Sequence, residues 1–346
     1  MKKKTKDRAV WLRIRAYNQE KRRVHHIAIE KEKSGQWSEY TVLKSPKACC
    51  LIDEAHRHNL LKLIHEIRQN AVTGNSKILI DFSDTKQFLS GGTLLLLSEI
   101  SRILHYLPKT CIRGKQPRNS KAAQVLKQVG LAKLLKINIK AKVKDHDVVN
   151  WKCATGQGAQ GEKYDTILGS YEGVIAEALS DNLYRGLTEA MTNAHHHAYI
   201  AARGDGLSHC DNYKPWWMFS QEKDDLLTVV FCDLGLGIPK TLPIKQPKWW
   251  QVAERFQITN QGDGKLIQGA VRNSQSRTRL LHRGKGLRQI ADAVTTAGSG
   301  IVNIYSNKGL YQLKSGTEFT FNYTDSIMGT VIQWSLPLKR TANDHE

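Results

Sequence analysis

No uninterrupted apolar run in the 346 residues approaches the length of a membrane span. The opening MKKKTKDRAVWLRIR lacks the apolar core of a signal peptide. A cytoplasmic protein without a membrane span is therefore expected. The six cysteines are Cys49, Cys50, Cys111, Cys153, Cys210 and Cys232, and none has CxxC spacing, which argues against a zinc ribbon and against a disulfide framework. Cys232 lies in an apolar run and reads as core. His195, His196, His197, His209 and Cys210 look like metal ligands only by composition, because one helix cannot turn three consecutive histidines toward one ion. Acidic residues are also scarce, 32 against 52 lysines and arginines, giving a formal charge of +20. Such a surface attracts polyanions, so nucleic acid, acidic protein partners and anionic membrane faces all stay open. No nucleic-acid-binding motif accompanies the charge. Basic residues are dense over Lys2–Arg23, within a basic N-terminal segment 1–45 of ambiguous fold that holds short strand-like pieces such as Val24–Ile29 and Tyr40–Leu43.

Hydrophobic content of 40% and charged content of 24% are those of a globular chain, and the length suits two domains with a core each. From Cys50 to Ala71 apolar residues recur at helical spacing. KILIDF, residues 77–82, reads as a buried strand, Gly91–Leu104 as a helix, Thr110–Arg113 as a strand and Ser120–Val129 as a helix. This alternation predicts an α/β domain over 46–150. Residues 151–165 read as a flexible linker. Gly156-x-Gly158-x-x-Gly161 has the letters of a dinucleotide fingerprint without the helix that motif requires.

The stretch LYRGLTEAMTNAHHHAY, residues 183–199, places Glu189, Asn193 and His197 at i, i+4 and i+8 of a helix, one polar face, with Leu187, Met191, Ala194 and Ala198 behind. Leu226–Cys232 reads as a central strand running into Asp233-Leu-Gly235-Leu-Gly237-Ile-Pro. Further on stand Arg283-Gly284-Lys285-Gly286-Leu287, at the start of a helix predicted over Leu287–Val294, and Gly329-Thr330 ahead of a strand ending Leu336-Pro337. Gly316-Thr317 is a second GT, and Tyr311–Tyr323 reads as a hairpin before the last strand. Lys240–His282 reads as a lid of mixed polarity. GDGK within it lacks the glycine spacing and the Ser/Thr of a Walker motif.

In that order these residues resemble the four boxes of the GHKL, or Bergerat-fold, ATPases, over about Tyr171–Pro337. EAxTNAxxHxY is similar to the first box of anti-sigma-factor serine kinases. Trp216-Trp217 and Ser276-Arg277-Thr278 are similar to features of bacterial ATP-binding proteins of the same superfamily. The resemblance implies a two-layer α/β sandwich over 166–340 that binds ATP with Mg²⁺. It implies Asn193 as the magnesium ligand and Glu189 as the group that orients or deprotonates the nucleophile. Asp233 would accept from the adenine amino group, with Gly235 and Gly237 letting the backbone approach base and ribose, and Thr330 nearby. Gly284, Lys285, Gly286 and Leu287 would meet the phosphates. IDFSDTKQFLSGGTLLLL and KAAQVLKQVGLAKLL resemble a STAS-type domain. There Ser90 stands near the phosphoacceptor of anti-sigma-factor antagonists, although Leu89 replaces the acid before it. A serine capping the helix from Gly91 is the better reading.

These resemblances imply an ATPase or serine kinase that regulates a protein partner. A nucleotide-sensing module with little turnover and a basic nucleic-acid-associated regulator are the alternatives. No helix carrying a phosphoacceptor histidine precedes Tyr171, which disfavours a two-component sensor kinase. Dimers are common in the superfamily, so a homodimer is left open.

Overall fold

The computed structural model describes residues 39–74, 77–158, 177–273, 286–292, 294 and 300–338, without the side chains of 177–180. The strand-like piece Val24–Ile29, Ser276-Arg277-Thr278, Arg283, Gly284 and Lys285 lie outside these residues. The chain divides into Met1–Val42 and a compact unit from Leu43 onward, which concerns everything below.

The first part of this unit, opened by the last two residues of β1 (Thr41–Lys44), alternates strands and helices: β2 (Ala48–Cys49), α1 (Glu54–Val72), β3 (Lys77–Asp81), β4 (Gln87–Phe88), α2 (Ser90–Tyr106), β5 (Cys111–Lys115), α3 (Ser120–Gln128), α4 (Leu131–Leu134) and α5 (His146–Val149). Asp53 and Asn119 start α1 and α3 by accepting the backbone N–H of His56 and Ala122. The order β1-β3-β5 forms a three-stranded sheet in which β3 and β5 run parallel, and β2 pairs in parallel with β4.

The second part is β6 (Lys152–Gln157), α6 (Glu177–Asn193), a π-helical turn over Ala194–Ala198, β7 (Pro215–Lys223), β8 (Leu226–Asp233), α7 (Ile238–Lys245), α8 (Pro247–Arg255), α9 (Asp263–Asn273), α10 (Gly286–Asp292), β9 (Ile301–Ser306), β10 (Gly309–Lys314), β11 (Thr317–Asn322) and β12 (Thr330–Pro337). Its sheet has the order β11-β10-β9-β12-β8-β7-β6, antiparallel throughout. Parallel and antiparallel sheets thus coexist in one mixed α/β unit.

One departure from the sequence reading concerns backbone pairing. Lys152–Gln157, expected within the linker, is an edge strand in register with Pro215–Ser220. Its alternation of intermediate and exposed residues, with Gly156, disguised it, because an edge strand can be held by backbone bonds with little apolar content. Within Lys240–His282, read as a lid, the described residues are largely helical, in α7, α8 and α9, with breaks at Gln246 and over 256–262.

The central strands of the long sheet, β7, β8, β9 and β12, are buried on both faces, to which successive side chains point in turn. Met218, Val229, Phe231, Ile332 and Trp334 face a core completed by Leu183, Leu187 and Met191 of α6 and Ile290 of α10. Trp217, Phe219, Val230, Cys232 and Val331 face the other way, into the same core as the apolar residues of α1 and α2. Cys232 is fully buried, and burial pushes its thiol well above the usual range.

Polar groups tie the first part to the second. Glu99 of α2, 1% exposed, receives Arg68 of α1 at 2.8 Å and also Arg203, which follows the π turn. Arg102 and Arg203 both reach Asp205. The Arg57 guanidinium lies 4.0 Å from the Tyr323 ring centre and donates to the Asn307 carbonyl at 3.3 Å. Among the described residues no helix is long and apolar enough to cross a membrane.

Candidate functional site

A cleft of about 750 Å³ opens where α6 and the π turn meet the ends of β8 and β12 and the helices α7 and α10. From α6 come Glu189 and Asn193, one turn apart on the face turned away from Leu187 and Met191, which are fully buried. The helical ladder then widens into the π turn, a feature frequent at functional sites. In that wider turn two consecutive histidines, His196 and His197, line the cleft.

Tyr199 fixes the end of the turn. Its hydroxyl donates to the Pro215 carbonyl at 2.6 Å and accepts the Leu234 N–H at 2.9 Å, while the Ala198 carbonyl accepts the Leu236 N–H at 2.8 Å. Gly235 lies so close to Ala198 that a Cβ there would collide with the Ala198 carbonyl. Gly235 thus packs the loop onto the turn instead of lining the cleft, whereas Gly237 does line it, with φ +83°.

Asp233 ends β8, with Thr330 of β12 directly across from it. Its carboxylate is 6% exposed and accepts the Gly235 N–H at 3.0 Å. Burial pushes its pKa up to about 6; the Gly235 N–H, the Arg203 charge and the Thr330 hydroxyl oppose that rise. Thr330 Oγ1 lies 3.1 Å from Ser306 Oγ, which accepts the Ile238 N–H at 2.8 Å and so holds the start of α7 against the sheet.

Glu189 is raised above the usual carboxylate range by desolvation. Asn193 Nδ2 is buried with no hydrogen-bond partner among the described residues. A Cβ on Gly286, the first residue of α10, would stand 2.6 Å from Glu189 Oε2 and 3.4 Å from Asn193 Nδ2. A side chain at this position would therefore push the Glu189 carboxylate out of its present place. Leu287 follows it on the cleft wall.

Several lining residues were not singled out in the sequence. Thr241 and Lys245 of α7 share a helix face at i and i+4, the spacing that could have revealed them had α7 been recognised. Gln246, also on the wall, accepts from Asn273 at the end of α9 at 3.0 Å. The His197 imidazole is held below its ordinary pKa by burial first and then by the Lys245 and His196 charges. Glu189, Asn193, Asp233, Gly237, Gly286, Leu287 and Thr330 therefore border one cavity, and Gly235 braces it from behind. Among the described residues no group of three or more His, Cys, Asp or Glu side chains could hold a metal ion.

Ser90 does not cap a helix. It is the first residue of α2, 6% exposed; Leu89 occupies the capping position and makes no side-chain hydrogen bond there. Gly92 lets α2 pass against Cys49, whose carbonyl a Cβ would approach to 2.6 Å, so close packing directs this turn.

The chain matches no family model, no curated protein and no solved structure.

Proposed function

We propose that residues 166–340 form a GHKL-type domain that binds ATP with Mg²⁺, joined to a STAS-like region over 46–150. On this reading the protein is an ATP-dependent regulator, a hydrolase or serine kinase acting on a protein partner. The observation that carries it is the convergence of four separated segments, Glu189/Asn193, Asp233/Gly237, Gly286/Leu287 and Thr330, on one cleft. The cavity has the size of a small-molecule site, and it combines a few placed polar groups with apolar wall from Leu242, Ile290 and Ile332.

Asn193 suits the metal. Rotation about the last side-chain bond exchanges its amide ends, so the unpartnered buried position can present oxygen as well as nitrogen. Mg²⁺, when bound, supplies neutralisation and orientation of the phosphates. A single amide oxygen suffices on the protein side, since phosphates and waters complete such shells.

The chain's own groups then divide the work. Asp233 reads the adenine amino group as an anionic acceptor, held by the Gly235 N–H and backed by Thr330. Glu189, with a raised pKa, takes the proton of the attacking hydroxyl or water. Lys245, on the cleft wall, supplies positive charge for the phosphates, and Gly286 and Leu287 line the same wall. Nucleotide binding by the full chain with Mg²⁺ tests the reading, with release of inorganic phosphate and labelling of protein serine followed side by side. ATP binding that is absent, or unchanged by both Asp233→Asn and Gly286→Val, would remove the cleft as its site.

A further inference from the structure

A second cavity, of about 290 Å³, lies apart from the cleft, between one face of α1 and the loop before Gly329. His58, Lys62 and His65 of α1 supply its basic wall, and Ser326 stands on the loop side. Arg68 also lines it, one further turn along α1 and 6% exposed. Its guanidinium is poorly satisfied: Nη2 donates to Glu99 at 2.8 Å, Nη1 meets only the Met328 sulfur at 3.1 Å, and Nε has no partner. A buried charged donor without an acceptor is costly, so this position favours an incoming acceptor.

The acids around this pocket are accounted for. Glu99 lies behind Arg68 and is shared with Arg203. Asp325, on the rim, is engaged by His58 Nδ1 at 2.6 Å. Lys62 and His65 stay exposed on the pocket's side of α1, and Ser326 Oγ accepts the Met328 N–H at 3.1 Å, which leaves its hydrogen to donate. Guanidinium, ammonium, imidazole and hydroxyl around one hollow are donors suited to a tetrahedral oxyanion. The cavity approaches the lower end of small-molecule sites, and Leu61, Ile64 and Met328 give it an apolar wall.

We propose that this pocket is a binding site for a small phosphate monoester, with the phosphoryl group among Arg68, Lys62, His65 and Ser326 and the organic part against Leu61, Ile64 and Met328. The inference is independent of what the larger cleft binds.

Calorimetric titration of the full chain with phenyl phosphate, orthophosphate and benzoate tests it, at constant ionic strength. Phenyl phosphate binds saturably and more tightly than either of the others. The exposed-side-chain variant Lys62→Ala/His65→Ala weakens it by about tenfold or more, and Ser326→Ala weakens it less. Gly286→Val, in the other cavity, leaves the phenyl phosphate affinity unchanged. No saturable binding overturns the proposal, as does orthophosphate or benzoate binding as tightly as phenyl phosphate. Equal affinity in the wild type and the Lys62/His65 variant, or a loss confined to Gly286→Val, assigns the phosphoryl group elsewhere and also overturns it.

Discussion

Asp233→Asn should make the protein more stable at neutral pH while weakening its hold on ATP. The carboxyl is buried in the folded chain, which raises its pKa from 3.8 to about 6. Below pH 3.8 it is protonated in folded and unfolded chains alike. As pH rises from 3.8 toward 6 the unfolded chain releases the proton and the folded chain keeps it, so stability falls, and the loss is complete above about 6. The full change amounts to roughly 3 kcal/mol, of which about 2 kcal/mol falls between pH 4.5 and 8. Asparagine keeps an oxygen for the Gly235 N–H and does not titrate. Chemical denaturation of both proteins across that range reads the difference directly, because other titrating groups cancel between them. The variant should gain about 2 kcal/mol on the wild type as pH rises. Arg203, left with less counter-charge, lowers the absolute gain without altering its slope. Wild-type ATP affinity should fall as pH drops through about 6, because the protonated acid no longer accepts as an anion. A stability gap that stays flat or closes with rising pH would refute the burial argument. A gap that opens as expected beside equal ATP affinities would refute the base-reading role alone.

Gly286→Val adds a side chain whose Cβ would stand 2.6 Å from Glu189 Oε2, so ATP affinity should drop more than about tenfold, with adenosine much less affected and a cooperative melt retained. Equal losses for both ligands in a binding titration would mean general damage to the cleft. Glu189→Gln should leave nucleotide affinity largely intact and lower phosphate release or protein labelling, which steady-state assays compare directly. Glu99→Gln removes the anion between Arg68 and Arg203 and should destabilise the fold by about 3–5 kcal/mol in guanidinium denaturation, against near-neutrality if the network is slack. Ser90, buried in the first turn of α2, should take no label from ATP and Mg²⁺, so Ser90→Ala and the wild type should give the same autoradiograph.

Much of the site could be read from the sequence because its parts are local. Glu189 and Asn193 sit at a helical spacing that survives in α6, and Asp233 follows a mostly apolar strand. The choice of Gly329-Thr330 over Gly316-Thr317 rested on the strand behind it, and β12 places Thr330 opposite Asp233. Gly316-Thr317 lies instead at the tip of the β10–β11 hairpin. What escaped depends on the chain being already folded. Lys245 belongs to the cleft because α7 is bound at its start by Ser306, 68 residues further along the chain. The π turn followed no pattern, and without it three successive histidines would be expected to point in three directions.

The least legible relation is between the two halves of the unit, where no motif spans the distance. Apolar alternation announces that β7 and β8 bury both faces, but it cannot say what covers the second. The three charges of Arg68, Glu99 and Arg203 come from separate segments, and each reads alone as an ordinary surface residue. Brought together, they place the charge that moderates Asp233 on a frame supplied by α1 and α2. A change at Glu99 is therefore transmitted to the cleft through Arg203, because a guanidinium without its nearest anion interacts more strongly with the next. The Asp233 carboxyl should titrate lower in Glu99→Gln than in the wild type, provided the variant folds. An NMR titration of that carboxyl reads the sign: an unchanged or higher pKa would show that the first half of the unit only packs against the second.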